Sequence, residues 1–162
     1  MTGDVETTPL IDEATSALSD ATTLEEVQRI VRTAARRLVH ADGATFVLRD
    51  VDRCFYADED AISPLWKGQR FPMTECISGW AMRHCEAAVI ADITVDDRIP
   101  QEAYRPTFVR SLVMTPILAG SSGEAIGAIG AYWAETRQAT DAEVALLRRL
   151  ADCTGEVLPT LL

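Results

Sequence analysis

Two long apolar segments near the end of the chain, joined by a short turn, constrain the fold more than any other feature. Val109–Leu118 and Glu124–Trp133 have the length and composition of strands, and the Ala-Gly-Ser-Ser-Gly run between them predicts a hairpin. Strands joined in this way pair antiparallel. The second segment carries small residues, which indicate that a neighbouring backbone or a ligand approaches it closely: Gly127, Ala128, Gly130 and Ala131. The sequence therefore predicts an antiparallel sheet.

Amphipathic helices flank this sheet at both ends of the chain. Apolar residues at three- and four-residue steps predict a short helix over 10–18, after Pro9, and a longer one over 24–39 behind the capping residues Thr22 and Thr23. Thr140 and Glu143 form a capping box that opens a final helix. We expect residues 1–21 to be an N-terminal extension with a short helix, and residues 22–162 to be a single domain.

The middle of the chain alternates short strands with helical turns. Strands are predicted over 44–49 and 54–57, separated by a tight turn, and again over 87–90. Thr74 is placed to cap a helix over 75–84, and Pro100 to open a short helix over 101–104. Residues 58–73 and most of 91–107 are irregular. Helices at the ends around one antiparallel sheet make this an α+β fold.

Charge and cysteine content exclude several classes of function. The 162 residues carry 15 basic and 25 acidic side chains, a net charge of −10, which disfavours nucleic acid or an anionic membrane surface as partner. The four cysteines form no CxxC pair and match no zinc site. The first twenty residues lack the basic residues of a signal peptide, and the longest apolar run, 125–134, is too short to span a bilayer. We expect a cytoplasmic protein.

Three segments together resemble the GAF domain family, the sensory module often attached to histidine kinases and cyclases. They are FPMTECISGWAMRHCEAAVIADITVDDRIP (71–100), FVRSLVMTPI (108–117) and GEAIGAIGAYWAETRQATDAEVALLRRLA (123–151). The resemblance covers about residues 22–157. It implies a central antiparallel sheet of five or six strands with the N- and C-terminal helices on one face. A ligand pocket would lie on the other face, under the connections 58–70 and 92–108. In this family the terminal helices commonly pair with a second subunit and signal to an effector domain, so the resemblance also implies a homodimer.

A catalytic relative within that resemblance is the GAF-type free methionine sulfoxide reductase, which uses cysteines around the pocket. Cys76 at a helix N-terminus has the setting of a reactive thiolate, and Cys85 is the available second thiol. The positions that align with that family's own cysteines are Ser78, before Gly79, and Ser111. Along a helix over 75–84 the two thiols would stand about 13 Å apart, too far to bond. The reductase stays an alternative.

Cofactor-binding branches of the family find little support in these residues. A bilin-attaching cysteine–histidine pair is absent from 97–110, and the one candidate haem ligand, His84, is placed to cap or end a helix. The signature of cyclic-nucleotide-binding GAF domains contains an Asn-Lys pair and a Phe near the last strand and helix. This chain has other residues at those positions. No evidence points to haem, bilin or metal, and the cofactor is unknown.

What remains is a site that binds a small molecule. An apolar wall with a few polar groups is the usual composition of such a site. The candidate apolar residues are Trp80, Tyr104, Phe108, Met114 and Trp133, and the candidate polar residues are Ser78, Asp92, Arg105, Arg110 and Ser111. Arg105 and Arg110 suit a phosphate or carboxylate, although nearby aspartates are the favoured alternative partners for them.

The function predicted from these patterns is a non-catalytic sensory domain, part of a two-component sensor histidine kinase or a similar signalling protein. Its partners would be an unidentified small-molecule ligand, a second copy of the chain and an effector domain. The alternatives are the sulfoxide reductase and a dimerisation scaffold without ligand.

Overall fold

The computed structural model describes the backbone of residues 2–162 and the side chains of residues 7–162. Within that range the chain forms five α-helices and six β-strands. They are α1 Thr2–Asp20, α2 Leu24–Leu38, β1 Gly43–Asp50, β2 Arg53–Ala61, β3 Arg70–Pro72, α3 Ile77–His84, β4 Ala88–Ile90, α4 Gln101–Tyr104, β5 Ser111–Leu118, β6 Ala125–Trp133 and α5 Asp141–Val157. This order confirms the predicted α+β class.

All six strands belong to one antiparallel sheet, in the order β3-β2-β1-β6-β5-β4. β5 and β6 pair along their lengths, which confirms the predicted hairpin. A side chain on Gly127 would collide with the backbone carbonyl of Val47 on β1, the close approach that the small residues of this strand predicted. The hairpin therefore lies inside the sheet, next to β1.

Helices α1, α2 and α5 cover one face of the sheet. Their buried residues form one helix-side cluster with the sheet, which includes Ile11, Val31, Ile129, Leu147 and Leu150. The predicted caps are present, because the Thr23 side chain accepts a hydrogen bond from the Glu26 N–H and the Thr140 capping box is complete. The terminal helices thus occupy the face that was predicted for them.

Helix α1 is longer than the prediction of a helix that starts after Pro9. It runs from Thr2 to Asp20 with Pro9 inside it, although proline removes one helical hydrogen bond. Ile11 and Leu18 are buried in the helix-side cluster, so the helix is stabilised by packing rather than by propensity. None of the helices in the described range is long and apolar enough to cross a bilayer.

The segment from β2 to α3 differs most from the prediction. β2 continues through the acidic residues to Ala61, where only 54–57 was predicted as strand, and β3 forms inside the region predicted to be irregular. β2 extends because it pairs along β1 up to Gly43 opposite Ala61. Helix α3 begins at Ile77 with Cys76 as its N-cap residue, whereas Thr74 lies in a 3-10 turn before it.

The second face of the sheet is covered by α3, α4 and the two long connections. Buried residues on this side form the cleft-side cluster, which includes Tyr56, Trp66, Tyr104, Met114 and Tyr132. The connections between β2 and β3 and between β4 and β5 meet above this cluster. The site described next lies at their junction.

Candidate functional site

An open cleft of 590 Å³ lies between the two connections. The β2–β3 connection supplies one wall, with Leu65 and Trp66, and the segment around α4 supplies the other, with Ala103. Glu75 and Glu102 are the ionisable residues among those that line it. The cleft is therefore apolar with a negatively charged edge, and none of the residues predicted to contact a ligand lines it.

A carboxylate below the β2–β3 connection holds that wall in shape. The two oxygens of Glu59 accept hydrogen bonds from the backbone N–H groups of Leu65, Trp66 and Lys67, each at 2.9 Å. Hydrogen bonds to a charged acceptor are about twice as strong as neutral ones. Although residues 62–69 contain no helix or strand, this part of the connection is anchored to the end of β2.

Trp66 forms the floor of the cleft and joins its two walls. Its indole N–H donates to the carbonyl oxygen of Ala103 at 3.0 Å. Its ring contacts three tyrosines below it, with centroid distances of 4.6 Å to Tyr104, 5.5 Å to Tyr132 and 5.6 Å to Tyr56. Only 4% of Trp66 is exposed, so it separates the cleft from the interior.

The hydroxyl groups of these three tyrosines have different surroundings. Tyr132 is hydrogen-bonded to Thr45 Oγ1 at 2.8 Å and Tyr56 to Ser78 Oγ at 3.0 Å. The Tyr104 hydroxyl is buried and finds no hydrogen-bond partner among the described side chains and backbone. Burial raises the pKa of all three phenols, so they are neutral at physiological pH. One unused donor thus lies directly under the cleft floor.

Two buried cysteines, Cys54 and Cys76, belong to the same cluster as these tyrosines. Ser78 Oγ donates to Cys76 Sγ at 3.4 Å, and Cys76 Sγ donates to the carbonyl oxygen of Pro72 at 3.4 Å. Interaction with the Cys54 thiol is the main cause that lowers the pKa of Cys76 to about 7, and the same interaction raises the pKa of Cys54 well above its usual range. No three His, Cys, Asp or Glu side chains within the described range are placed to hold a metal ion.

Four of the predicted site residues lie on this side of the sheet, in or against the cleft-side cluster. Ser78 and Met114 are fully buried there, Tyr104 lies under Trp66, and Phe108 packs against the cluster as a half-buried side chain. Trp80 also packs at its edge. However, its ring stacks on His84 at 4.3 Å and lies under the Arg98 guanidinium at 4.4 Å, so most of its contacts are outside the cleft.

Ser111 and Trp133 were predicted to line the ligand site together with these residues. In the structure they lie on the opposite face of the sheet. Trp133 belongs to the helix-side cluster, with the Arg137 guanidinium 4.5 Å above its ring. Ser111 Oγ donates to the carbonyl oxygen of Glu135 at 2.7 Å. The reason is the two-residue alternation of a strand. Trp133 shares its face with Ile129 rather than with Tyr132.

The predicted charged residues lie at the surface. Asp92 accepts hydrogen bonds from the N–H and hydroxyl of Thr94, which lower the pKa of its carboxyl group, with a smaller contribution from the charge of Arg110. Arg105 and Arg110 are exposed and form no salt bridge with any described residue, so the expected ion pairs with nearby aspartates are wrong. Asp96 pairs instead with Arg98 at 2.7 Å.

Sequence reasoning missed Tyr56, Trp66 and Cys54, which are central to the site. All three precede the first of the three segments quoted for the family resemblance, which begins at residue 71, and Trp66 lies in a run with no strand or helix pattern. The alternation of Cys54 and Tyr56 along β2 was the available signal, since both side chains point to the same face. Cys76 and Cys85 lie at opposite ends of α3, apart from each other as the sequence predicted, and Cys85 is exposed.

Comparisons with known proteins agree with this architecture. A family model described as GAF domain matches residues 21–158. The GAF domain of an Acinetobacter phosphoenolpyruvate-protein phosphotransferase superposes with a TM-score of 0.82 at 12% identity, covering 96% of this chain and 94% of that one. The A. aeolicus nlh2 GAF domain in an inactive state gives 0.77 at 17% identity, covering 98% of each.

An enzyme is similar in fold as well. The free methionine-R-sulfoxide reductase from Neisseria meningitidis, solved in complex with its substrate, gives a TM-score of 0.77 at 19% identity, covering 90% of this chain and 84% of that one. Among curated proteins no sequence matches significantly. At these identities the structural likeness shows the fold alone, and it spans both sensory and catalytic proteins.

Proposed function

The chain belongs to the GAF domain family, and from that premise we propose that it is a non-catalytic sensory module that binds a small molecule in the cleft above Trp66. The observation that carries this proposal is the hydroxyl group of Tyr104. Only 3% of the residue is exposed, and the hydroxyl has no hydrogen-bond partner among the described groups. Leaving a buried hydroxyl without a hydrogen bond costs about 1–3 kcal/mol. A ligand that accepts this hydrogen bond would recover that free energy.

Access to Tyr104 requires Trp66 to move. Its indole N–H is held by one neutral hydrogen bond to Ala103, and such a bond contributes only about 0.5–1.5 kcal/mol net. A ligand with a flat apolar body would replace the ring contacts that Trp66 gives up, while an acceptor atom takes the Tyr104 hydrogen. The cleft edge carries Glu75 and Glu102, which favours a neutral or positively charged ligand over an anion.

The β2–β3 connection, which forms one wall of the cleft, is linked to the helix layer through β2. Glu59 holds residues 65–67, and its neighbours on the same strand form salt bridges with α2: Asp58 with Arg32 at 2.7 Å and Asp60 with Arg36 at 2.9 Å. A ligand that displaces the connection therefore acts on a strand whose end is tied to α2. Coupling requires that the ligand bind the two arrangements with different affinity.

We place signal output at the terminal helices. They would pair with those of a second subunit in a homodimer and continue to an effector domain, as in a sensor kinase or a similar protein. A shallow groove of 260 Å³ between α1 and α2 supports this location. It combines half-buried apolar side chains, Leu10, Ile30 and Ala34, with the charges of Glu13, Arg29 and Arg37. Self-complementary charge with an apolar centre suits an isologous contact.

The test is a ligand screen by thermal shift and tryptophan fluorescence, using a library of neutral and cationic heterocycles. We expect hits that raise Tm for the wild type and for Tyr132→Phe, whose hydroxyl is already satisfied by Thr45. The same hits should lose most of their shift with Tyr104→Phe. Hits that bind Tyr104→Phe as well as the wild type would contradict the proposed site.

The reductase alternative is tested in parallel, because an enzyme of that fold is among the similar structures. Purified protein is given free methionine sulfoxide with a dithiol reductant, and methionine is measured. The sensory proposal expects no turnover above the reductant alone. Turnover that disappears in Cys76→Ser would replace it with the catalytic function.

A further inference from the structure

A second, smaller recess of 180 Å³ lies at the edge of the sheet, and none of the described residues lines both it and the cleft. Strand β4 pairs with β5 over 112–114 and begins at Ala88 opposite Met114, so β5 continues beyond it from Thr115 to Leu118. Helix α5 and the residues between α3 and β4 enclose the space beside this part of β5. The recess therefore arises from the sheet topology and is separate from the site described above.

Thr115 brings an unused hydroxyl group to this recess. The residue is 2% exposed, and its Oγ1 is buried without a hydrogen-bond partner among the described groups. Val113 and Ile117 belong to the helix-side cluster, so the two-residue alternation of a strand places Thr115 on the side of α5. A valine would fill this position without the cost of an unpaired hydroxyl. A polar ligand in the recess would supply the missing partner.

Three charged side chains line the same recess, and all three are exposed: Glu86, Arg148 and Asp152. Within the part of the chain whose side chains are described, none of them forms a salt bridge. Val144, Arg148 and Asp152 follow one another at four-residue steps along α5, which places them on one face of the helix. Two negative charges and one positive charge thus lie beside the apolar side chains of Val144 and Leu118.

We propose that this recess binds a small zwitterion with a compact apolar body, the chemical class of an apolar α-amino acid. A simple anion would meet two like charges here and a simple cation would meet Arg148, whereas a zwitterion pairs with both signs. The Arg148 guanidinium suits a carboxylate, and Glu86 and Asp152 suit an ammonium group. The volume corresponds to roughly six water molecules, which matches a ligand of this size.

Thr115 and the apolar wall complete the site. The hydroxyl can donate to the carboxylate or accept from the ammonium group, since a hydroxyl is both a donor and an acceptor. Leu118 and Val144 would contact the apolar body of the ligand. The site lies apart from the cleft above Trp66, and it does not depend on the ligand proposed there.

NMR titration of isotope-labelled protein tests the site directly, with L-leucine as the probe. We expect saturable shifts of backbone amides within 85–87, 115–118 and 144–152, and none at 64–66 and 102–107, which lie at the cleft. Two analogues each lack one charge: isoamylamine has no carboxylate and isocaproate has no amino group. Each should bind about tenfold more weakly than L-leucine. No saturable shift with L-leucine, or shifts confined to the cleft, would overturn the proposal.

Variants separate the site from the fold and from the cleft. Thr115→Val should keep or raise the free energy of unfolding, because it removes an unpaired hydroxyl, and should weaken L-leucine binding about tenfold. Arg148→Gln should weaken binding at least as much, while the matched control is Arg149→Gln, since Arg149 pairs with Asp12 instead. Tyr104→Phe changes the cleft and should bind L-leucine as the wild type does, so the two proposals fail separately.

Circular dichroism checks each fold, and the exposed Arg148→Gln decides the outcome if Thr115→Val does not fold. Affinity for L-leucine that is unchanged in Arg148→Gln would overturn the proposal. Equal affinity of the wild type for L-leucine and for both analogues would overturn it as well.

Discussion

The indole N–H of Trp66 donates to the carbonyl oxygen of Ala103 at 3.0 Å, so one side chain connects the two long connections that form the cleft. The two residues are far apart in sequence and neither belongs to a strand. Because the ring also packs on three tyrosines, Trp66 is both the floor of the cleft and the top of the cluster beneath it. The predictions below begin from this contact.

Trp66→Phe keeps an aromatic ring but removes the donor to Ala103. We expect a loss of about 1 kcal/mol in the free energy of unfolding, the usual net contribution of a hydrogen bond. Trp66→Ala should cost about 3–5 kcal/mol, since it opens a cavity against the tyrosines. Urea denaturation measures both. Trp80→Phe, at the edge of the cluster, is the control and should change stability less than Trp66→Ala.

Tyr104→Phe and Tyr132→Phe remove the same atom from different surroundings. Tyr132→Phe leaves Thr45 Oγ1 without its partner and should destabilise the protein by about 1–3 kcal/mol. Tyr104→Phe removes a hydroxyl that has no described partner, so stability should be unchanged or higher. Equal destabilisation in the two variants, measured by chemical denaturation, would show that the Tyr104 hydroxyl is already satisfied.

Glu59→Gln tests what holds the wall of the cleft. The amide has one acceptor oxygen and no charge, so the three N–H groups of residues 65–67 lose a charged, two-oxygen acceptor. We expect faster amide hydrogen exchange at these residues and a loss of about 1–3 kcal/mol. Glu102→Gln, an exposed carboxylate on the other wall, is the control. Unchanged exchange at 65–67 would assign the shape of the wall to packing alone.

Asp96 contributes to the acid dependence of stability. Hydrogen bonds from the side chain of Arg98, and then from its backbone N–H, lower the pKa of the Asp96 carboxyl group. A carboxyl group with a depressed folded-state pKa stabilises above its unfolded pKa of about 4 and loses that contribution as pH falls through the lower folded value. Asp96→Asn should lower stability at neutral pH and flatten its decline below about pH 4. The exposed Asp97→Asn should keep the wild-type profile.

The helix pairing is tested by sedimentation. Ile30 is one of the apolar residues that line the groove between α1 and α2, and a glutamate in its place would lose its hydration in a dimer. Ile30→Glu should therefore shift a concentration-dependent dimer to monomer, and circular dichroism checks that the variant is folded, since Ile30 also packs against the helix-side cluster. A wild type that sediments as a monomer at every concentration would remove the proposed dimer.

The sequence predicted those elements that depend on interactions between residues close together in the chain. The capping boxes, the β5–β6 hairpin and the α4 turn rest on contacts within a few residues, so their patterns are visible along the chain. The acidic end of β2 has poor strand propensity, and only pairing with β1 and the salt bridges to α2 explain why it is extended. In the candidate site Ser78, Tyr104 and Met114 were anticipated because they lie in segments with a clear pattern. Trp66 and Cys54 were not, because nothing local to them marks their partners.

By itself the sequence determined the fold class, the antiparallel sheet and the helices at both ends, because hydrophobic period and turn chemistry are local properties of the chain. It also determined the net charge of −10. Only the tertiary structure decided which side of the sheet each candidate faces: Trp133 and Ser111 on the helix side, Tyr104 under Trp66. It alone placed Cys54 and Cys76 in one buried cluster, since contacts between residues on separate elements exist only once the strands are in register.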